Sequence, residues 1–502
     1  MAKHFEIYEE GMEGIQDEQN RQVPKKKKKF LVQFSVEEIA IKKACKGRMV
    51  SLKMDTATRL ERAVLGINVQ IIRHNKIQIY SLAIKELSGK HTAANLKEEL
   101  ENVLKEFEIK KSQIYCITTD NGRNMLKAVE LFSDENLNQL ENNEEKAINS
   151  ENFVETVVEN FCSEEPNIIS VKCAAHTLQL VVKDFLSNTD AEIIDRAREV
   201  VKTLRTPTYR HSLQILKLKK PRLDVCTRWN STYDMLQRLL QYKTFCNDIV
   251  GTSRLSEQEW ITIQDIVKVL RPVYEATMKL QESQLLVGDF YKLWINLKLQ
   301  VDTLRSSVAD ALSHYLERRE SQILKNEAVN AAIFLDPRLK RLLSSERKIK
   351  AKKHLKSIAA RMFILNQNDR TINITNMVEK EDANDNNAVT EATDFSSTSN
   401  TNLTLLRNSV VHMELDSSTD DEQEDMYLQE MKKMFNEIDN YKEQRIDIDA
   451  DLMQYWKEKR YVVPFITKLA NIVHAVPVTQ QSENMLVLLA ENQRPWVTEI
   501  KF

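Results

Sequence analysis

The sequence predicts a mixed α/β unit followed by a long all-α region within one chain. Three observations predict it. With 8 Gly and 9 Pro in 502 residues, the chain is too poor in turn residues for an all-β fold, and helices are expected to dominate. Between Arg48 and Phe132 the apolar period alternates between that of strands and that of helices, in the order β-β-β-α-β-α. Beyond Ala191 the pattern is helical over most of the remaining length.

The elements follow in order. Residues 1–46 lack a clear apolar period and hold Pro24 followed by Lys25, Lys26, Lys27, Lys28 and Lys29. They are expected to be flexible. Such a run is a solvated tail on one reading and a nuclear-import signal or phosphate-binding arm on the other. In Arg48–Asp55, Val50, Leu52 and Met54 alternate with Ser51, Lys53 and Asp55, which predicts a strand with Asp55 on the face opposite its apolar row. Val64–Ile72 alternates likewise, and His74-Asn75 turns the chain into Ile77–Leu87, completing an antiparallel meander. Leu96, Leu100, Val103, Leu104 and Phe107 then share one helical face.

Ile114–Thr118 is a short β-branched run that breaks at Asp120-Asn121-Gly122, after which Met125, Ala128, Val129 and Phe132 repeat at helical spacing. By itself, Asp-Asn-Gly is also the signature of a helix cap and tight turn. The turn leaves Asp120 at the carboxyl end of a strand, where open α/β sheets place their chemistry. A strand-helix-strand crossover makes this strand parallel to a neighbour, so Asp55 and Asp120 are expected to meet at one sheet edge.

A polar excursion follows, from Ser133 to about Asn160, and Ile168–Val171 reads as a further strand. Cys173 and His176 stand three apart on the next helix and share a face. One Cys and one His do not close a tetrahedral zinc site, and local packing is the plainer role for such a pair. The helical pattern beyond is expected to break near Pro207, Pro221 and Pro272. Arg228-Trp229 begins a helix whose tryptophan is either a core aromatic or a stacking surface for a base that has left the duplex, beside an arginine for phosphate. Asn366 to about Glu424 is rich in Asn, Thr, Ser, Asp and Glu and is expected to be a disordered loop. Helical pattern resumes at Met426 and leads to Val476-Pro-Val-Thr479 and Ser482-Glu483.

Composition narrows the function classes. Hydrophobic content of 42% with 29% charged residues is that of a soluble globular protein, and no apolar run spans a bilayer. Six cysteines without a C-x-x-C pair point to a reducing compartment and free thiols. The formal charge of -2 conceals the basic run at Lys25–Lys29 and an acidic stretch at Asp416–Asp425, so it says little about nucleic acid.

Together, Leu52-Lys-Met-Asp55 with Leu65-Gly-Ile-Asn68, Thr118-Thr-Asp-Asn-Gly122, Cys173-Ala-Ala-His176, Arg228-Trp229-Asn-Ser231, Phe334-Leu-Asp-Pro-Arg338, Tyr455-Trp456 and Val476-Pro-Val-Thr479 leading to Ser482-Glu483 carry a resemblance. In their order and spacing they resemble the catalytic core of hAT-superfamily DNA transposases, over residues 48 to about 494. The resemblance implies a ribonuclease-H-like fold interrupted by a helical insertion. Its parts are a flexible basic segment at 1–46, a core at 47–205, an insertion at 206–460 with the loop at 366–424, and a dimerising segment at 461–502 that returns to the core.

It further implies Asp55, Asp120 and Glu483 as a catalytic, metal-binding triad for Mg²⁺ or Mn²⁺, with no organic cofactor and no structural zinc. Cys173, His176, Arg228 and Trp229 are implied on the DNA side. The partners implied are double-stranded DNA and a second copy, as a homodimer or higher oligomer through the C-terminal region. The location implied is the nucleus, with no membrane. In two places the sequence departs from the family. Upstream of the first strand stand one histidine, His4, and one cysteine, Cys45, so the family's BED zinc finger is expected to be absent. After Glu483 the chain reads Asn484-Met485-Leu486 in place of the family's arginine and phenylalanine. The activity implied is metal-dependent cleavage and strand transfer at transposon ends. The alternative is a catalytically inactive domesticated or truncated transposase serving as a dimerising interaction scaffold, and a ribonuclease acting on RNA hybrids ranks third.

Overall fold

The structure, a computed structural model, describes residues 38–59, 62–87, 91–133, 168–188, 191–225, 229–248, 255–382, 420–442 and 444–479. A mixed sheet of five strands organises it: β1 (Val50–Arg59), β2 (Arg62–Arg73), β3 (Lys76–Leu87), β4 (Ile114–Thr119) and β5 (Ile169–Lys172), in the spatial order β3-β2-β1-β4-β5. The first three strands form the antiparallel meander, β4 lies parallel to β1, and β5 parallel to β4. His74 and Asn75 both adopt positive φ, 53° and 59°, between the paired Arg73 and Lys76. This is the backbone that a two-residue hairpin turn needs to match strand twist.

Strand alternation gives the sheet two different faces. On the first, Leu52, Met54, Leu65, Ile67 and Val69 are fully buried beneath α1 (Ala93–Glu106) and α2 (Arg123–Ser133), whose Leu96, Leu100, Val103, Met125 and Val129 complete one core. Each such side chain contributes about 1.5–3 kcal/mol by leaving water. Thr92 caps α1, its hydroxyl accepting from the Asn95 amide at 3.3 Å. The second face carries Ser51, Lys53, Asn68, Gln70 and Thr118, all buried although polar. They are covered by the rest of the chain.

That cover is helical: α3 (Ala174–Asn188), α4 (Ala191–Leu204), α5 (Pro207–Ile215), α6 (Trp229–Leu240), α7 (Lys243–Asp248), α8 (Glu257–Lys279), α9 (Val287–Asp302), α10 (Ser307–Ile323), α11 (Glu327–Phe334), α12 (Ser345–Asp382), α13 (Asp420–Asp439), α14 (Leu452–Lys459) and α15 (Pro464–Val473). Pro207 stands in the first turn of α5, where a missing N–H costs nothing. Pro272, by contrast, does not break the helix but rides inside the 23-residue α8. A reciprocal Ser256/Glu259 capping box starts that helix, and the continuous buried face of Ile263, Ile266, Val269, Leu270 and Val273 offsets a proline penalty of about 3 kcal/mol. The stretch expected as a disordered loop over 366–424 is helical as far as Asp382 and again from Asp420, and residues 383–419 lie outside the described residues.

Side chains tie the helices to the second sheet face. Gln284 donates to the Ile77 carbonyl at 3.2 Å and accepts from its amide at 3.1 Å. Arg361 of α12 donates to the Ser112 carbonyl at 2.7 Å and also to the Ile114 carbonyl, just at the entry to β4. The segment after α15 lies on the sheet itself: Gln70 donates to the Ala475 carbonyl at 3.1 Å and Thr118 to the Pro477 carbonyl at 2.7 Å. Among the described residues Cys45, Cys116, Cys173 and Cys246 are free thiols, and no helix is long and apolar enough to cross a membrane.

Candidate functional site

The parallel strands deliver the candidate carboxylates to one edge. Lys53 of β1 pairs in register with Thr118 of β4, and counting two residues onward along both strands sets Asp55 beside Asp120. Adjacent strands lie about 4.8 Å apart, so the two carboxyls emerge from neighbouring strand ends on the polar face of the sheet. Both are partly buried. Asp120 is held by its own turn, its Oδ1 accepting the Gly122 amide at 2.9 Å. Asp55 sits opposite Gly66 on β2.

The electrostatics reflect this crowding. Burial, and secondly the Asp120 charge, push the Asp55 carboxyl up to about 7, against the Thr56 amide that favours the ionised form. His176, near the start of α3, is held below the ordinary imidazole value by burial, while Asp120 pulls it the other way and Lys183 adds to the lowering. The third parallel strand, β5, thus brings His176 into the field of Asp120. Cys173, 2% exposed, stands at the junction, its amide donating to the Thr119 carbonyl at 2.9 Å and its carbonyl accepting from Thr177. Next to it the Ala174 amide donates to the Val478 carbonyl at 2.9 Å, so the C-terminal segment meets α3 here.

Lys53 was not singled out by the sequence. Its alternation with Leu52 and Met54 places it on the Asp55 face, but only the packing of the C-terminal segment and helices makes that face an interior. Lys53 is only 6% exposed in consequence. Burial lowers it to about 8, with the Cys173 thiol opposing.

Gly122 is needed where it stands, since a Cβ there would lie 2.8 Å from Asp120 Oδ1. Gly122→Ala is therefore expected to swing the Asp120 carboxylate out of place while leaving the partly exposed turn folded. Magnesium-induced stabilisation, followed by thermal melting, should weaken by about tenfold in affinity, as for displaced metal ligands elsewhere. An unchanged magnesium response would show that the carboxylate's position is not set by this turn.

Other candidate residues fall elsewhere. Trp229 is 8% exposed and packs edge-on against Tyr274 at a centroid distance of 6.4 Å, which matches the core-aromatic reading. Glu483, Arg228 and Lys25, Lys26, Lys27, Lys28 and Lys29 lie outside the described residues, which reach Thr479 at the C-terminal end. A cavity of about 270 Å³ opens beside Asn121, between β5, α10, α11 and the C-terminal segment, with Lys172 and Lys325 among its lining residues and Phe290 and Pro477 supplying apolar wall. Among the described residues no group of three or more His, Cys, Asp or Glu converges as a metal site. Two partly buried carboxyls, that of Asp55 pushed toward neutrality first by burial and then by its neighbour, are nonetheless a hard-oxygen donor pair of the kind a divalent cation fits.

Residues 171–269, from β5 into α8, match the family model of the ZBED1 RNase-like helical domain. An AC transposase named from Zea mays is 24% identical over 286 residues, 51% of this chain and 32% of its own length. The zinc finger BED domain-containing protein RICESLEEPER 3 of Oryza sativa is 21% identical over 451 residues, 80% of this chain and 52% of its own. The chain is a hAT-type transposase-like protein. A transcriptional regulator, tpeD, of Talaromyces stipitatus is 26% identical to this transposase-like chain over 239 residues, 40% of the chain and 26% of that protein. The chain thus spans about half, or less, of the length of these relatives.

Proposed function

We propose that this chain is a nuclear, DNA-acting protein of the transposase kind, with a ribonuclease-H-like core in which Asp55 and Asp120 bind Mg²⁺ or Mn²⁺ for phosphodiester cleavage. The observation that carries the reading is the pairing of the two carboxyls at adjacent parallel strand ends, with Asp55 raised to about 7 by burial and by its neighbour. Burial and the neighbouring charge favour a protonated Asp55 carboxyl near neutrality, and a bound divalent cation would favour its ionised form. Glu483 is the third ligand on this reading, supplied by the segment that follows Thr479. Bound divalent ions would activate water and neutralise the leaving 3′ oxygen in an in-line displacement.

The chain's own groups have separable tasks. Gly122 fixes one Asp120 oxygen and leaves the other for a cation. His176, held below the ordinary imidazole value by burial, lies within the field of the Asp120 carboxylate and favours its neutral form there. Lys53 carries a buried positive charge on the same sheet face and lowers the cost of bringing phosphate to it. No covalent intermediate with the protein is needed. A second copy, docked through the C-terminal region, completes the proposed assembly.

The test is nicking of supercoiled plasmid with and without Mg²⁺. Asp120→Asn is expected to abolish the magnesium-dependent rate, a loss on the order of 10³-fold if several kcal/mol of transition-state stabilisation go with it, while duplex binding in EDTA persists. Should the wild type bind duplex and self-associate yet never nick, the scaffold reading takes its place.

A further inference from the structure

Residues 205–222, which run from the end of α4 through α5 into the extended segment before α6, hold Arg205, Arg210, Lys217, Lys219, Lys220 and Arg222 and no Asp or Glu. All six are exposed. Among the described residues the ion pair they form is Arg222 with Asp234, at a loose 3.7 Å between partly exposed side chains. The remaining cations of the segment face solvent in a chain whose net charge is -2. Elsewhere on the surface lysines are commonly paired, as Lys202 is with Glu199 at 2.7 Å and Lys350 with Glu346 at 2.7 Å.

The backbone beneath this array is fixed. The C-terminus of α5 closes with the Leu218 amide donating to the Leu213 carbonyl at 2.9 Å and the Lys217 amide to the Gln214 carbonyl at 3.0 Å, the paired bonds of a Schellman cap. Lys217 occupies the left-handed position, φ 54°, where glycine is usual, at a cost of about 1 kcal/mol. Tyr242 donates to the Lys219 carbonyl, Pro221 is buried, and Asp224 is clamped by Arg198 at 2.8 Å. From Lys217 to Arg222 the chain reaches at most about 17 Å, against one phosphate per ~3.4 Å of axial rise along a DNA strand. The backbone that carries these cations is therefore ordered before any ligand is met, which removes part of the entropic cost of binding a row of phosphates.

We infer that this ordered basic segment is a second DNA contact, remote in sequence from the carboxylates, that grips the phosphate backbone of a duplex without reading its bases. It rests on DNA as the proposed substrate. The placement supports a shared duplex: α5 packs on α4, α4 on α3, and α3 starts directly after Cys173, with His176 of its first turn in the field of Asp120. Backbone cations position rather than specify, so the contact is expected to be sequence-independent and steeply dependent on salt.

The experiment measures anisotropy of a labelled mixed-sequence duplex with the full chain in EDTA, from 50 to 200 mM KCl. Lys217→Gln/Lys219→Gln/Lys220→Gln is expected to reduce the slope of log K against log salt by about 2 to 3 and the affinity at 100 mM by about 10- to 100-fold. The charge-preserving Lys→Arg triple should retain the wild-type slope, and both should melt with the wild type because the side chains are exposed. A wild type that binds no duplex overturns the DNA reading itself. A wild type that binds with a slope unchanged in the glutamine variant overturns this surface alone, as does a variant that loses binding to phosphatidylserine vesicles but keeps its duplex slope.

Discussion

At pH 8, Asp55→Asn is expected to yield a protein that is more stable than the wild type and catalytically dead. The stability sign follows from linkage. The folded Asp55 carboxyl sits at about 7 against an ordinary 3.8, so the folded chain still holds a proton between those values that the unfolded chain has lost. The associated stability is fully present below about pH 4 and is lost as pH rises through 7. At about 1.4 kcal/mol per tenfold, the gap sets a ceiling of roughly 4 kcal/mol, and partial exposure brings it to about 2–4. Asparagine removes that loss, so urea midpoints of variant and wild type should converge near pH 4 and separate at pH 8. Magnesium at pH 8 should raise the wild-type midpoint and leave the variant unmoved, since the cation relieves the same repulsion. A variant less stable than the wild type at pH 8 would mean that the Asp55 carboxylate is already satisfied by its neighbours. Activity, measured as magnesium-dependent nicking, should fall by on the order of 10³-fold.

The carboxylate edge was legible in the sequence because two periodicities and one turn signal determine it. Alternation through Leu52, Met54 and Asp55 sets which face the acid occupies, and the break at Asp120-Asn121-Gly122 sets where β4 ends. Register then follows from the crossover, which a local pattern predicts well. What was not legible depends on long-range packing. Lys53 reads as a solvent-facing residue until the segment Ala475–Val478 and the helices are laid over it. Trp229 reads as a core aromatic, the commonest fate of a tryptophan, or as a stacking platform, and the sequence does not decide because its surroundings come from Tyr274, distant in sequence. Pro272 reads as a helix breaker, and only the burial of residues before and after it shows why α8 continues. The basic segment at 205–222 escaped notice for the opposite reason. Its cations are spread over a helix end and a loop instead of forming an uninterrupted run like Lys25–Lys29.

Arg338→Leu is expected to destabilise the chain by about 3–5 kcal/mol, the largest stability loss from any single change considered, because it strands a buried carboxylate. Arg338, 3% exposed in its side chain, meets Asp336 through Nε at 2.9 Å and Nη2 at 2.7 Å, Asp289 at 2.9 Å, and the Ala450 carbonyl at 3.1 Å. Asp336 is wholly buried. Gly288 makes room for the pair, since a Cβ there would lie 1.9 Å from Asp336 Oδ2, so Gly288→Ala should be destabilising by the same route. Asp336→Leu/Arg338→Leu should cost less than Arg338→Leu alone, because an apolar pair leaves no charge behind. The pH dependence separates a lost ion pair from lost packing. His474, fully buried nearby, is lowered to about 4, first by burial and then by Arg338, while Asp336 opposes both. In the wild type its contribution is present above about 6.5 and is lost as pH falls toward 4. Without Arg338, the stranded Asp336 favours a charged imidazole, and His474 takes the proton that partly replaces the missing guanidinium. Arg338→Leu should therefore be less damaging at pH 5 than at pH 8 by urea denaturation, and a deficit equal at both would assign the loss to packing alone.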